Sequence, residues 1–315
     1  MENINLKHLP PISETFRAFE KSLGFKNDIK WTSAILLTLY HIAAVYWCYH
    51  YALPVKMQTV IFAAIMYVAT GFGITGGAHR LWTHKSYKAT LPLKLFLLMC
   101  FASAGQNSLE QWVRDHRLHH KHSDTNADPH NANRGLFFSH IGWLMMKKNK
   151  EVIIRGKQMD MTDIHEDPIL RFYNKHFAYF RLLFCFVLPF MVNVYILKES
   201  WQCTIAWQWF IRFLSMFHSE LTVNSLAHAY GYRPYNKNIV PRENRFVATC
   251  TLGEGWHNYH HAFPFDYKAA EHFDLFNWGT LFIQAFEKLG LAYGLRMATP
   301  EMISNLSNRL GESAQ

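Results

Sequence analysis

The sequence predicts an all-α integral membrane protein: four transmembrane helices, paired as two hairpins, with a cytosolic helical cap that holds a histidine-rich metal site. Three observations predict this. Residues 31–55 and 57–79 contain no Asp, Glu, Lys or Arg, and each stretch exceeds the roughly 20 residues that cross a bilayer as a helix. The basic residues are distributed unevenly about the apolar stretches. Of the 19 histidines, eight gather in three short clusters outside the apolar interiors.

Composition agrees. Half of the 315 residues are apolar, 16% are aromatic and 17% are charged, which excludes a disordered or fibrous chain. Mean hydropathy is only −0.09, so the apolar residues are concentrated in segments. Cys48, Cys100, Cys185, Cys203 and Cys250 are odd in number and lack paired spacing. They suit a reducing compartment and form no disulfide framework.

The elements follow in order. Residues 1–30 form a polar, cytosolic N-terminal segment. A first span covers about 33–53, Pro54 and Lys56 mark a turn, and a second span covers about 57–78. The first is not a cleaved signal peptide, because a polar segment precedes it and it is too long for an h-region. Residues 95–109 are uncharged but short, and predict a buried or interfacial helix. A third span covers about 179–197, Lys198 and Glu199 make a short link, and a fourth covers about 203–223. The fourth carries Arg212 and Glu220. A mid-membrane charge costs at least about 2.5 kcal/mol, so both are expected to face the protein interior or a wet cavity.

Of the 32 Lys and Arg residues, five lie in 1–32, fifteen in 79–177 and eight in 224–315, whereas the two short links carry only Lys56 and Lys198. The positive-inside rule then places both termini and the long segments in the cytosol. The basic residues form no single tract, so no nucleic-acid surface is expected.

Three histidine clusters stand out: His79-Arg-Leu-Trp-Thr-His84, His116-Arg-Leu-His119-His120 and His257-Asn-Tyr-His260-His261. Asn224-Ser-Leu-Ala-His228 adds a fourth site. On a helix, positions i+3 and i+4 fall within about 60° of position i, so HxxHH puts three imidazoles on one face. His79 and His84, at i and i+5, converge only if the helix ends or kinks, which Gly71, Gly73, Gly76 and Gly77 permit. Two hairpins put all four sites on one side of the membrane, which favours counting the weak fourth span.

Neutral imidazole suits iron, copper, zinc or nickel. One zinc takes about four protein ligands, so nine histidines imply two metal ions. Such a pair, held where a greasy bundle meets the cytosol, suits oxidation of an apolar chain with O2. The remaining histidines, His8, His41, His50, His122, His130, His140, His165, His176, His218 and His272, read as surface or satisfied residues. His122 and His130, which adjoin the second cluster, are the foremost exceptions.

The segments GAHRLWTH (77–84), WVRDHRLHHKHSDTNADPH (112–130), RGLFFSHIGWL (134–144), NSLAHAYGYRPY (224–235) and GEGWHNYHHAFPFDY (253–267) resemble the membrane fatty acyl-CoA desaturases of animals, related to stearoyl-CoA desaturase. The resemblance spans about 30–295, and KAAE (268–271) gives it an insect-like cast. It implies a desaturase domain over 31–300 with a tail at 301–315, four helices in the endoplasmic reticulum membrane, and a cytosolic cap holding a di-iron site. By resemblance, His79, His84, His116, His119, His120, His228, His257, His260 and His261 ligate two iron ions (Fe2+), and Asn224 reaches one through water. The implied substrate is a fatty acyl-CoA, oxidised with O2 and two electrons from cytochrome b5, itself reduced through an NAD(P)H-dependent reductase. The chain has no HPGG-type haem segment, so the donor is expected to be a separate protein. A Δ9- or Δ11-type double bond is expected.

Asp115, Asp124 and Glu254 are candidates to hold the imidazole tautomers. By resemblance Asn107, Arg114, Asp115, Lys147 and Lys148 occupy CoA-binding positions, and Trp112 lines the acyl path. Tyr67 and Gly71 match the closed end of the acyl tunnel, so Gly71 is expected to leave a deep tunnel, unless it serves close helix packing. Two departures bear on the substrate: Trp31-Thr32-Ser33 stands where the family usually has WRN, and Leu221 stands where a tryptophan is common. A hydroxylase or conjugase would share every ligand, and a catalytically silent scaffold or metal carrier is a reading from another class.

Overall fold

The computed structural model describes residues 12–22, 27–271 and 276–312. His8 and His272 lie outside them. The described chain is helical, with one two-stranded antiparallel ribbon of β1 (Lys88–Ala89) and β2 (Ala292–Tyr293).

Helix α1 (Ile12–Ser22) precedes α2 (Trp31–Tyr51). Ile35, Leu36, Leu39, Ile42 and Val45 of α2 are exposed, and only Ala44 is buried. A helix that is apolar all round and bare on its outer face is suited to lipid. Helix α3 (Met57–Thr83) runs 27 residues. Its first part, Met57–Phe72, is α-helical and its last, Gly73–Thr83, is π-helical. There α3 crosses α4 (Leu91–Ala102) so closely that a Cβ on Gly73 would strike the backbone of Cys100 and Phe101. Helix α4 is short and only half-buried, as a buried or interfacial element would be, but it covers 91–102 rather than the uncharged stretch 95–109, of which residues 103–108 are not helical.

Helix α5 (Leu109–His122) starts at Ser108, whose hydroxyl accepts the Gln111 N–H at 3.3 Å. Short helical turns then lead to α6 (Phe177–Ile196). Helix α7 (201–229) is unbroken, with a π-helical stretch at Ile205–Ile211.

Three helices, α2, α3 and α6, are long and apolar enough to cross a membrane. Helix α7 falls short of that apolarity, since Arg212 and Glu220 interrupt it. It nevertheless lies along α2: the Trp47 indole donates to Gln202 O at 2.8 Å and the Trp207 indole to Ala52 O at 3.0 Å. The two short links meet at one end of the bundle, where the Glu199 carboxylate accepts the Lys56 N–H and the Thr59 hydroxyl, each at 3.0 Å. Arg212 is buried and donates to Ser103 O at 2.9 Å and Cys185 O at 2.5 Å. It thus faces the interior, as was expected of a charge in this stretch.

Beyond the bundle lie α8 (Arg245–Cys250), α9 (His257–Ala262), α10 (Trp278–Lys288) and α11 (Pro300–Leu310). The main core joins Leu93, Leu97, Phe101, Leu109, Val113 and Ile283, all within 1% of full burial. It fixes α3, α4, α5 and α10 to one another, so the histidines at the ends of α3 and α5 rest on a rigid floor.

Candidate metal centre

The π-helical end of α3 solves the problem of His79 and His84. A kink or helix end was expected to bring them together; a wider helical turn does so instead. Hydrogen bonds from i+5 to i widen the turn, and the His84 N–H donates to His79 O at 3.1 Å. The two rings lie 4.8 Å apart, centre to centre.

Nine histidines converge into two groups. His79, His84, His116, His120 and His260 form one, and His119, His228, His257 and His261 the other, with ligand atoms in each within 4.8 Å of one another. The two HxxHH motifs divide in the same way. In each, the i and i+4 pair stays together and the i+3 residue crosses to the other group. Positions i+3 and i+4 flank position i on opposite sides, about 100° apart, so one helix face serves two centres. The facing motifs on α5 and α9 therefore bind the two groups into one unit.

The nitrogen geometry fits metal ions. Nε2 atoms face each other at 2.9 Å for His79 and His260, 3.0 Å for His260 and His120, 3.2 Å for His116 and His84, 3.1 Å for His228 and His257, and 3.3 Å for His119 and His261. An imidazole–metal bond is about 2.1 Å, so two nitrogens bound at right angles stand about 3.0 Å apart. Carboxylates fix the tautomers of His119 and His228 by hydrogen bonds, and a third lies against His79. Nδ1 of His79 lies 2.9 Å from Glu254, that of His119 2.9 Å from Asp128, and that of His228 3.1 Å from Asp124. An Nδ1–H held by a carboxylate leaves the Nε2 lone pair pointing inward. Lone pairs facing each other at about 3 Å repel unless a cation sits between them.

Electrostatics keep six of the nine rings in the ligand form, whereas at His119 burial is outweighed by Asp128 and Asp124, which raise it. Burial first, then neighbouring imidazoles, holds His84, His116, His120, His257, His260 and His261 well below the usual histidine range, so they are neutral at pH 7. Burial would raise the Glu254 carboxyl, but Arg80 and His79 outweigh it and hold it at about 2. Burial likewise opposes ionisation of Asp128, and His119 and His130 overcome it to hold that carboxyl well below the ordinary range. Arg80 is 1% exposed and donates to Glu254 at 2.8 and 3.1 Å, Tyr267 O at 2.9 Å, Thr280 at 3.0 Å and Asn277 at 3.3 Å.

Two of the three carboxylates expected beside the histidines are there. The third, Asp115, corrects the sequence reading. On α5 it is turned about 100° from His116 and takes the Lys148 ammonium at 2.5 and 2.6 Å. Asp128 takes its place, a residue the sequence reading passed over in favour of Asp124. The two bracket one short loop, and Asp128 Oδ2 also accepts the Asp124 N–H at 2.8 Å. His130 lies near Asp128 and His119 without joining either group of nine. His41, His218 and His140 satisfy one another in a chain of contacts at 3.0 Å each.

A cavity of about 790 Å3 opens beside the centre. Asn107, Trp112, Asp115, Lys148 and Asn224 line it, and so do Leu221 and Ser33, two positions that the sequence reading singled out for the substrate. Lys30 and Arg181 also line it, cations the sequence reading did not assign to a ligand. Arg114 and Lys147 are not among its lining residues. A second cavity of about 50 Å3, reaching His79, His116 and His257, shares Trp112, His116, Glu220 and Asn224 with the first and ends at Gly71, Ile74 and Met216. A Cβ on Gly71 would strike the Leu252 side chain, so this glycine both bounds the cavity and permits close packing. Tyr67 lines neither cavity; its hydroxyl donates to Cys250 O at 2.5 Å and lies 2.8 Å from the Ser219 hydroxyl, which is free to donate to it.

Residues 56–275 match the fatty acid desaturase family. An acyl-CoA Delta-9 desaturase of Acheta domesticus is 44% identical over 92% of this chain and 81% of its own. An acyl-CoA Delta(11) desaturase of Choristoneura rosaceana is 46% identical over 91% of this chain and 86% of its own, and a stearoyl-CoA desaturase 5 of Bos taurus 45% over 92% and 87%. With a match over most of its length and two histidine groups shaped for metal ions, the chain belongs to the fatty acid desaturase family, whose named members here are oxidoreductases.

Proposed function

We propose that this protein is an acyl-CoA desaturase of the endoplasmic reticulum membrane. It inserts a double bond into the chain of a fatty acyl-CoA, using O2 and two electrons relayed from an NAD(P)H-dependent reductase through cytochrome b5. The observation that carries the reading is the slot that runs from the cations Lys30 and Lys148 past Trp112 to both histidine groups. In this reading α7 is the fourth span, its charges turned inward, and both termini are cytosolic.

The residues present fit two iron ions. His79, His84, His116, His120 and His260 would hold one; His119, His228, His257 and His261 would hold the other, with Asn224 reaching it through water. Iron bound there supplies the oxidising power for unactivated C–H bonds, which side chains lack. The overall change removes two hydrogens from adjacent methylenes and, with two electrons and two protons, reduces O2 to two waters.

The chain's own residues do the rest. Lys30, Lys148 and Arg181 offer cationic contacts for the CoA phosphates, and Asn107 offers an amide nearby; Arg114 and Lys147 would act from outside the slot. Asp115 holds Lys148 at the rim. The Trp112 ring stacks on His116 at 4.9 Å and walls the acyl path. The apolar slot fixes the chain and excludes water, so that two neighbouring C–H bonds react in turn before a hydroxyl forms.

Expression in a desaturase-deficient yeast tests this. Monounsaturated fatty acids with one mapped double-bond position, of Δ9 or Δ11 type, are expected. Hydroxylated or no new products would contradict the reading. In the same host Gly71→Leu should shift the products to shorter chains; an unchanged profile would assign Gly71 to packing alone.

A further inference from the structure

Glu220 is left without a task by the desaturase reading. It projects from α7 one turn before Asn224 and two turns before His228, on their shared face. It lines both cavities, where the slot meets the histidines. One carboxyl oxygen accepts the Trp112 indole N–H at 3.0 Å. Among the described residues, the other oxygen has no hydrogen-bond partner. Phe213, Phe217, Leu221, Met216 and Val223 share the cavity walls with it, and Asn224 and His116 line both cavities beside it without a hydrogen bond to its carboxyl.

The other charge on α7 makes the contrast. Arg212 is buried and spent on two backbone carbonyls that tie α7 to α4 and α6. Glu220 ties nothing together except one indole, and its free oxygen faces the space where a chain must lie. An ionisable group within a membrane segment is costly and is by default a functional group. A plain polymethylene chain drawn past Glu220 would strip water from that oxygen and return no hydrogen bond. A chain carrying a hydroxyl at that depth would return one.

We infer that Glu220 selects acyl chains bearing a hydroxyl group close to the methylenes presented to the histidines. Trp112 holds the carboxyl in place from one side, and the substrate hydroxyl donates to it from the other. This inference rests on the acyl-CoA reading and adds the substrate class.

Competition tests it. Membranes holding the full chain and its electron donor receive an equimolar mixture of a saturated acyl-CoA and hydroxyacyl-CoAs of the same length, the hydroxyl placed at successive carbons. The ratio of desaturated products is then measured. One hydroxylated isomer is expected to be favoured by about tenfold or more. Glu220→Leu should abolish or reverse that preference, and Glu220→Gln, which keeps an acceptor, should retain part of it. Both substrates compete in one vessel, so the ratio does not depend on how much variant folds. If Glu220→Leu is inactive, the wild-type ratio decides alone. A wild-type protein that converts the plain chain as well as every hydroxylated one would overturn the inference and leave the desaturase reading standing; so would a ratio that Glu220→Leu does not move. Conversion of no acyl-CoA at all would overturn both.

Discussion

His260→Ala is expected to reduce product formation by more than about a hundredfold while the protein still inserts in the membrane. Loss of a residue that merely orients a metal ligand costs about 10–100-fold, and His260 is placed at the ligands themselves. Its Nε2 lies 2.9 Å from that of His79 on α3 and 3.0 Å from that of His120 on α5. It is also the α9 residue that crosses to the first group, so its loss uncouples the two HxxHH motifs. The check is product formed per mole of membrane-inserted protein, with His165→Ala as control. His165 is exposed and pairs with Glu110 on the surface, so its loss should leave turnover near wild type. A His260→Ala protein that keeps half its activity would remove this residue from the centre.

Arg80→Met should produce the largest loss of stability. The side chain is enclosed, and its guanidinium joins α3 to the Glu254 loop, Tyr267 and the start of α10. Deleting one partner of a buried ion pair costs about 3–5 kcal/mol, because the other charge stays buried without its match. For a chain this size that is roughly a 10 °C fall in thermal midpoint. Arg80→Lys keeps the charge but not the planar fork, and should fall between the two. Thermal unfolding followed by the fraction remaining monodisperse in detergent checks the order. A midpoint unchanged in Arg80→Met would show that the pair is not what fastens the Glu254 loop and α10 to α3. The pH dependence has a definite sign. The Glu254 carboxyl is held at about 2, so its contribution is full above about pH 4.5 and is lost as pH falls toward 2.

The membrane elements were legible because charge is so costly in lipid that its absence marks a span directly. Residues 31–55 and 57–79 show this, and the reading of Arg212 and Glu220 followed from the same cost. Helix α7 carries no such mark, because Arg212 and Glu220 dilute its apolarity. The nine histidines were legible from spacing, because i, i+3 and i+4 are neighbours on a helix. Their division into five and four was not, since it depends on how α5 and α9 face each other in the fold. The π-helical turn at Gly73–Thr83 escaped as well. A local sequence carries no mark of a widened helix, and i, i+5 spacing on an ordinary helix points the rings apart. Asp128 was missed because a carboxylate nine residues from its histidine is brought there only by the loop's own folding. Lys30 and Arg181 were missed because they lie far apart in sequence and meet only at the cavity.

Iron content decides the matter most directly. Protein purified in active form, without added metal, is expected to hold two iron ions per chain by elemental analysis, and about one or none after His260→Ala. Fully active protein with less than one iron per chain would contradict the reading of the nine histidines on which the rest is built.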